Sequence, residues 1–285
     1  MSGAPPPRAA HTPTSIGHPR LHLRRTGSTN ERARELAFAG APHGTLVTAA
    51  EQTAGRGRQG RRWSAPAGSA LLMSLLLRDA PPLLPLIAAV AVSDVAGAQA
   101  RIKWPNDVVV EAFPTEGAHG DAGEGTGPGL AKLAGILVEG RPQEGWAVLG
   151  IGLNVAVRLE QLPAELRPRD ADTAGEAGAA GEAGAAGVAR PGGGLPAATL
   201  GLEPADVEPM LARLLDALER RLAEPAEATL QAWRERDALY GREVAWAQGH
   251  GRAEGIDGNG RLVVALADGG HTALGAGEVH LQQIG

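Results

Sequence analysis

The segment AGRGRQGRRWS at positions 54–64 sets Arg56, Arg58, Arg61 and Arg62 among three glycines, without a carboxylate, and runs into Trp63. Charge of one sign at this density repels itself, and the glycines leave the backbone without a preferred conformation, so an anionic partner is what would order the segment. Guanidinium groups offer paired N–H donors that suit phosphate and carboxylate equally. Nucleic acid, a nucleotide and a metabolite phosphate all answer that description. The spacing is neither a dinucleotide fingerprint nor a P-loop, because no Lys-Ser/Thr follows the glycines.

A second segment, KWPNDVVV, opens an apolar run with Lys103, followed by Trp104 and Pro105. An ammonium aimed into a cavity there bridges two anionic reactants and offsets their repulsion. Asn106 adds a ligand contact, and Asp107 is a carboxylate of the kind that holds magnesium near phosphates. Each residue alone has a plainer reading: Lys103 as a side chain snorkelling to water, Asp107 as a turn former, the arginine run as a solvated or RNA-touching loop, Trp63 and Trp104 as packing.

The elements that must position these residues come from patterning. Residues 29–40, TNERARELAFAG, have a polar start at Ser28 or Thr29 and a glycine stop, which predicts a helix. Short apolar runs at 44–52, 69–78, 101–110, 132–140 and 146–157 read as strands, and 82–99 and 204–224 as helices. The second of these helices places Val207, Met210, Leu211, Leu214, Leu215 and Leu218 on one face. Helices covering one side of a mixed, largely antiparallel sheet make an α+β fold over about 20–238. From 239 to 285 the texture changes to short strands, with tight-turn signals at Asp257-Gly258 and Asn259-Gly260, which predicts a small β-barrel. Residues 1–19 read as a disordered leader, and 112–130 and 171–197 as glycine-rich insertions.

Composition narrows the function. With 285 residues and 43% hydrophobic content the chain can bury a sizeable core, and its net charge of −5 is wrong for coating nucleic acid. No cysteine is present, so disulfides, thiolate metal sites and thiol nucleophiles are excluded. No secretory signal and no long apolar stretch is found, so a soluble cytoplasmic protein is expected.

Taken together, STNE at 28–31, EQTAGRGRQGRRW at 51–63, SALLMSLLL at 69–77, KWPND at 103–107, KLAGILVE at 132–139 and GIGLNV at 150–155 resemble the biotin protein ligases in order and spacing. The resemblance implies a class II synthetase-like catalytic domain and an SH3-like C-terminal barrel. It implies ATP and biotin as substrates with Mg2+, activation of biotin as biotinyl-5'-AMP, and transfer to a lysine of a biotin carboxyl carrier protein. Residue by residue, it places Ser28, Thr29, Asn30, Gln52, Gly55, Arg56, Gly57, Arg58, Lys103 and Gly135 at biotin. It places Arg56, Arg58, Arg61, Trp63, Lys103, Asn106, Lys132 and Asn154 at ATP or the adenylate, with Lys103 and Arg58 catalytic and Asp107 at the metal. A homodimer through the catalytic sheet is implied; DNA binding and repression are not expected, since only about 20 residues precede the catalytic domain. The rivals are a lipoate or octanoate enzyme of related fold, and an RNA-binding module stacking bases on Trp63.

Overall fold

A computed structural model describes residues 16–112, 129–163, 166–167, 195–275 and 280–281. Seven strands form the main sheet: β1 (Arg20–Leu23), β2 (Leu46–Ala49), β3 (Ala70–Arg78), β4 (Arg101–Lys103), β5 (Asp107–Ala112), β6 (Gly129–Arg141) and β7 (Trp146–Asn154). Their order is β1-β2-β3-β7-β6-β5-β4, with β1 parallel to β2 and every other pair antiparallel. The mixed, largely antiparallel sheet is therefore as expected.

Side-chain alternation along β3 divides the sheet into two faces. Leu71, Met73, Leu75 and Leu77 join the main core with three helices: α2 (Leu84–Ala96), α3 (Val207–Ala223) and α4 (Ala226–Arg234). α2 is buried nearly all round, because the sheet lies on one side of it and α3 and α4 on the other. The opposite face carries α1 (Thr29–Phe38), whose Ala33 and Ala37 pack on Val47, Leu76 and Val148. Helices thus occupy both faces, not the single face expected: α1 is small and alanine-lined on its packing side, and it covers only part of its face. What it leaves uncovered becomes the cavity described below.

Three further departures bear on the site. The strand expected over 101–110 is a hairpin, β4 and β5, closed by Trp104, Pro105 and Asn106, with Lys103 opposite Asp107. Pro105 has no N–H to give a ladder, so the chain turns there. α4 carries no strong start signal and was not anticipated; the segment after it covers the free edge of β4, through Ile102 N–H to Arg236 O (2.7 Å) and Ala238 N–H to Ile102 O (2.9 Å). Much of the expected leader and of both expected insertions lies outside the described residues. Ile16, inside the leader range, is buried in the main core, and residues 129–130 belong to β6.

The C-terminal part is a five-stranded antiparallel sheet of β8 (Glu243–Trp246), β9 (Gly249–Ile256), β10 (Leu262–Ala265), β11 (His271–Leu274) and β12 (His280–Leu281). Val244, Ala253, Ile256, Leu262 and Val264 belong to the same core as the helices, so the module is welded to the main sheet and its helices. At the weld, Trp104 donates its indole N–H to Gly260 O at 3.1 Å, and Gly260 (φ +73°) sits against Leu83 and Leu86. The tight turn read at 257–260 is what makes this contact. Among the described residues no helix is long and apolar enough to cross a membrane.

Candidate active site

On the face that α1 leaves open, a cavity of about 270 Å³ lies between the sheet and the arginine loop. Its floor is β6 and β7, paired so that Gly135 stands opposite Gly152 and Leu137 opposite Gly150. The glycines are there for space. A methyl group at Gly150 would come within 2.8 Å of Asn30 Cγ, and one at Gly152 within 2.5 Å of the Trp63 ring. In the same way Gly135 admits Trp63 and Lys132, whose Nζ lies 5.6 Å from the indole centroid.

At one end the cavity is neutral and hydrogen-bonded. Ser28 is the extended residue that opens α1, and it is buried with Thr29 and Asn30. Gln52 Oε1 accepts from the Thr29 backbone N–H (2.8 Å), so its NH2 is the end left with hydrogens to give. Asn30 is more committed than its position suggested: Nδ2 donates to Glu139 Oε2 (2.9 Å), and Oδ1 accepts from Ser74 Oγ (2.6 Å). A carboxylate only accepts, so Glu139 sets which way this amide faces, and the single Ser74 proton is spent on Asn30. Thr29 Oγ1 lies 2.8 Å from Ser74 Oγ and 3.1 Å from Gln52 Oε1, and its one proton, given to Ser74, continues the chain and leaves Gln52 Oε1 to the Thr29 backbone N–H.

The other end is cationic. Lys132 Nζ lies 2.7 Å from the buried Asp107 Oδ1, and Arg58 Nη1 donates to Asn106 Oδ1 at 3.4 Å. The loop is folded by its own backbone, through Gly57 N–H to Arg61 O (2.7 Å) and Trp63 N–H to Gly55 O (3.0 Å), and Arg62 donates to Thr53 O (2.7 Å). Trp63 lies on the glycine floor with its indole N–H buried and without a hydrogen-bond partner among the described residues.

Of the sixteen residues singled out in the sequence, fourteen line this cavity: Ser28, Thr29, Asn30, Gln52, Arg56, Gly57, Arg58, Arg61, Trp63, Asn106, Asp107, Lys132, Gly135 and Asn154. Gly55 does not; it sits at the base of the loop, close against Trp63. Nor does Lys103. Its register opposite Asp107 puts it on the cavity's face of the sheet but on the outermost strand, one strand beyond the wall. Asn154 spends its Nδ2 on Ala198 O (2.8 Å). Sequence reasoning missed Ser74 and Glu139, although a lone hydroxyl in ALLMSLLLR and a lone carboxylate ending KLAGILVE are visible signals. A resident magnesium does not fit the donors present. Asp107 is already the counter-ion of Lys132, and among the described residues no three His, Asp or Glu cluster as metal ligands.

A mixed sheet closed by three helices on one face, with α1 and a loop-covered cavity sharing the other and a small antiparallel module joined to its core, is the architecture of a class of ligases. The profile of the Biotin/lipoate A/B protein ligase family matches residues 22–155, and that of the biotin protein ligase C terminal domain matches 241–281. The biotin--[acetyl-CoA-carboxylase] ligase of Mycobacterium tuberculosis is 33% identical over 281 residues, covering 90% of this chain and 87% of that protein. The bifunctional ligase/repressor BirA of Bacillus subtilis is 40% identical over 152 residues, 49% of this chain; the match spans only 41% of that protein. A solved biotin protein ligase from Aquifex aeolicus, in complex with biotin and ATP, superimposes with a TM-score of 0.65 at 22% identity, over 93% of this chain and 99% of that one. The chain belongs to the biotin protein ligases.

Proposed function

We propose that this protein activates biotin with ATP to biotinyl-5'-AMP and transfers the biotinyl group to a lysine of a biotin carboxyl carrier protein. The observation that carries the reading is the polarity of the cavity: neutral, fixed donors and acceptors around Thr29 and Gln52, and Lys132 and Arg58 beside Asp107 and Asn106, with Arg56 and Arg61 of the loop also in the wall. A ureido ring is neutral, planar and polar on both sides, which suits Thr29 and Gln52, whereas a carboxylate meeting a triphosphate needs cations. The biotin and ATP held by the related Aquifex ligase, and the name of the mycobacterial relative, agree with this reading.

In the first step the biotin carboxylate oxygen attacks the α-phosphorus, a P–O bond forms, the α–β bridging bond breaks, and pyrophosphate leaves. The charge that lets these two anions approach was expected from Lys103. Geometry favours Lys132, which stands at the cavity wall over the glycine floor with Asp107 as its resting counter-ion. Magnesium belongs here with the nucleotide, whose phosphates supply the ligands that one carboxylate cannot. In the second step a neutral lysine amine attacks the acyl carbon, AMP leaves, and the nitrogen loses a proton to water. The mixed anhydride hydrolyses readily, which is a reason for an arginine loop to cover it.

The test is exchange of labelled pyrophosphate into ATP, with biotin or lipoate, followed by transfer to a carrier domain. Exchange with biotin and label on the carrier lysine is the expected result. Exchange with lipoate alone, or none from folded protein, refutes the reading.

A further inference from the structure

The chemistry just proposed does not use Glu139, yet its carboxylate is where three separate segments meet. Oε2 accepts from Asn30 Nδ2 at 2.9 Å, and Oε1 faces Arg34 Nη1 at 3.4 Å and Arg56 Nη1 at 3.8 Å. Behind the cavity an open gap of about 530 Å³ separates the arginine loop from β6, and Glu139 is the only carboxylate among the residues that line it. From the floor strand β6, one side chain therefore reaches the helix α1 at Asn30 and Arg34 and the arginine loop at Arg56.

We propose that Glu139 is a positioning residue that couples the neutral end of the cavity to the arginine loop. One oxygen fixes the Asn30 amide, and with it the chain through Ser74 and Thr29; the other holds Arg56 and so keeps the loop down. A formed floor and a closed lid become one state. The Arg56 and Glu139 side chains are 48% and 24% exposed, so their pairing is weak, reversible and sensitive to salt, which is what a lid that must open for substrate needs. The ligands named in the test rest on the functional reading above, whereas the latch itself is a property of the ligand-free chain.

Two substitutions separate the two roles. Glu139→Gln keeps a carbonyl oxygen for Asn30 but no charge for Arg56; Glu139→Ala keeps neither. Ligand-free Glu139→Gln is expected to be cut by trypsin at the loop arginines about two- to fivefold faster than wild type at low salt, with the difference gone at about 1 M salt. Its KM for biotin in pyrophosphate exchange rises by about two- to threefold, as a lid released from the floor requires, while Glu139→Ala raises it by about tenfold. Equal tryptic rates at low salt overturn the latch, and an equal rise in KM for both variants overturns the division of roles. The tryptic comparison needs only the glutamine variant, so it decides the latch whether or not the alanine variant folds. If wild type itself performs no exchange, the functional reading fails while the proteolysis still judges Glu139.

Discussion

Asp237 gives a prediction whose size follows from its surroundings. It lies where the chain leaves α4 for the C-terminal sheet, with Oδ1 accepting the Leu239 N–H at 2.8 Å and Oδ2 buried without a hydrogen-bond partner among the described residues. Burial pushes the carboxyl up from 3.8 to about 6, and the backbone N–H groups of Leu239 and Tyr240 offset only part of that. Because the folded value lies above the unfolded one, the stability linked to this group is fully present below about pH 4 and is lost as pH rises through about 6. A difference of about 2 pH units at about 1.4 kcal/mol each gives a penalty of at most about 3 kcal/mol above pH 7, reduced where water reaches the residue.

Asp237→Asn removes the titration and keeps the oxygen that caps Leu239. The variant should match wild type at pH 4 and exceed it at pH 8, by as much as about 3 kcal/mol or on the order of 5–10 °C in melting temperature. Calorimetric or fluorescence melts of both proteins from pH 4 to 8 supply the check. A stability difference that does not change with pH, or a variant weaker at pH 8, refutes the reasoning.

Other consequences concern the cavity. Lys132→Ala should lower the rate of pyrophosphate exchange by about 10²–10³-fold, as loss of an electrostatic stabiliser does, with Lys103→Ala costing less than about tenfold; the reverse order would return the bridging role to Lys103. Gly152→Ala drives a methyl group into the Trp63 ring and should cost about 1–3 kcal/mol or lift the indole off the floor, visible in a melt or as a shift of tryptophan emission; unchanged melting and emission would mean the ring does not rest there. Ser74→Ala strands Asn30 Oδ1 and should cost about 1–3 kcal/mol and weaken biotin binding, read by urea titration and calorimetry.

Local chemistry was legible in the sequence, and the relation between segments was not. The arginine loop, the glycines of GIGLNV and the polar opening of α1 are short-range signals, and all of them reach the cavity. That Lys103 stands outside the cavity wall has a physical source. In KWPND the lysine is conspicuous because it precedes Trp-Pro, but a hairpin at 104–106 returns the chain and gives the cavity wall to Asn106 and Asp107, on the inner strand. Lys132 comes to the nucleotide only through the resemblance, because a lysine in an apolar strand shows its face only once its partners are known. For the same reason a continuous run such as ALLMSLLLR could not reveal that Ser74 reaches Thr29 and Asn30 while Leu71, Leu75 and Leu77 enter the main core.

The loop arginines tolerate one another because their partners are spread over the fold. Three of them are met by oxygens from different places: Arg56 by Glu139 on β6, Arg58 by Asn106 at the β4–β5 turn, and Arg62 by the carbonyl of Thr53. Spreading the acceptors keeps the loop folded without surrendering its charge to a single carboxylate. The contacts differ in length as the proposed function requires. Arg62 is fixed at 2.7 Å at the base, whereas Arg56 meets Glu139 at 3.8 Å. An ion pair weakens over that range, and guanidinium–phosphate pairs close to about 2.8 Å, so a phosphate can take Arg56 from its resting partner. Tight resting pairs would make the loop rigid and leave it little to gain from substrate; loose ones leave the difference in free energy for closing the lid.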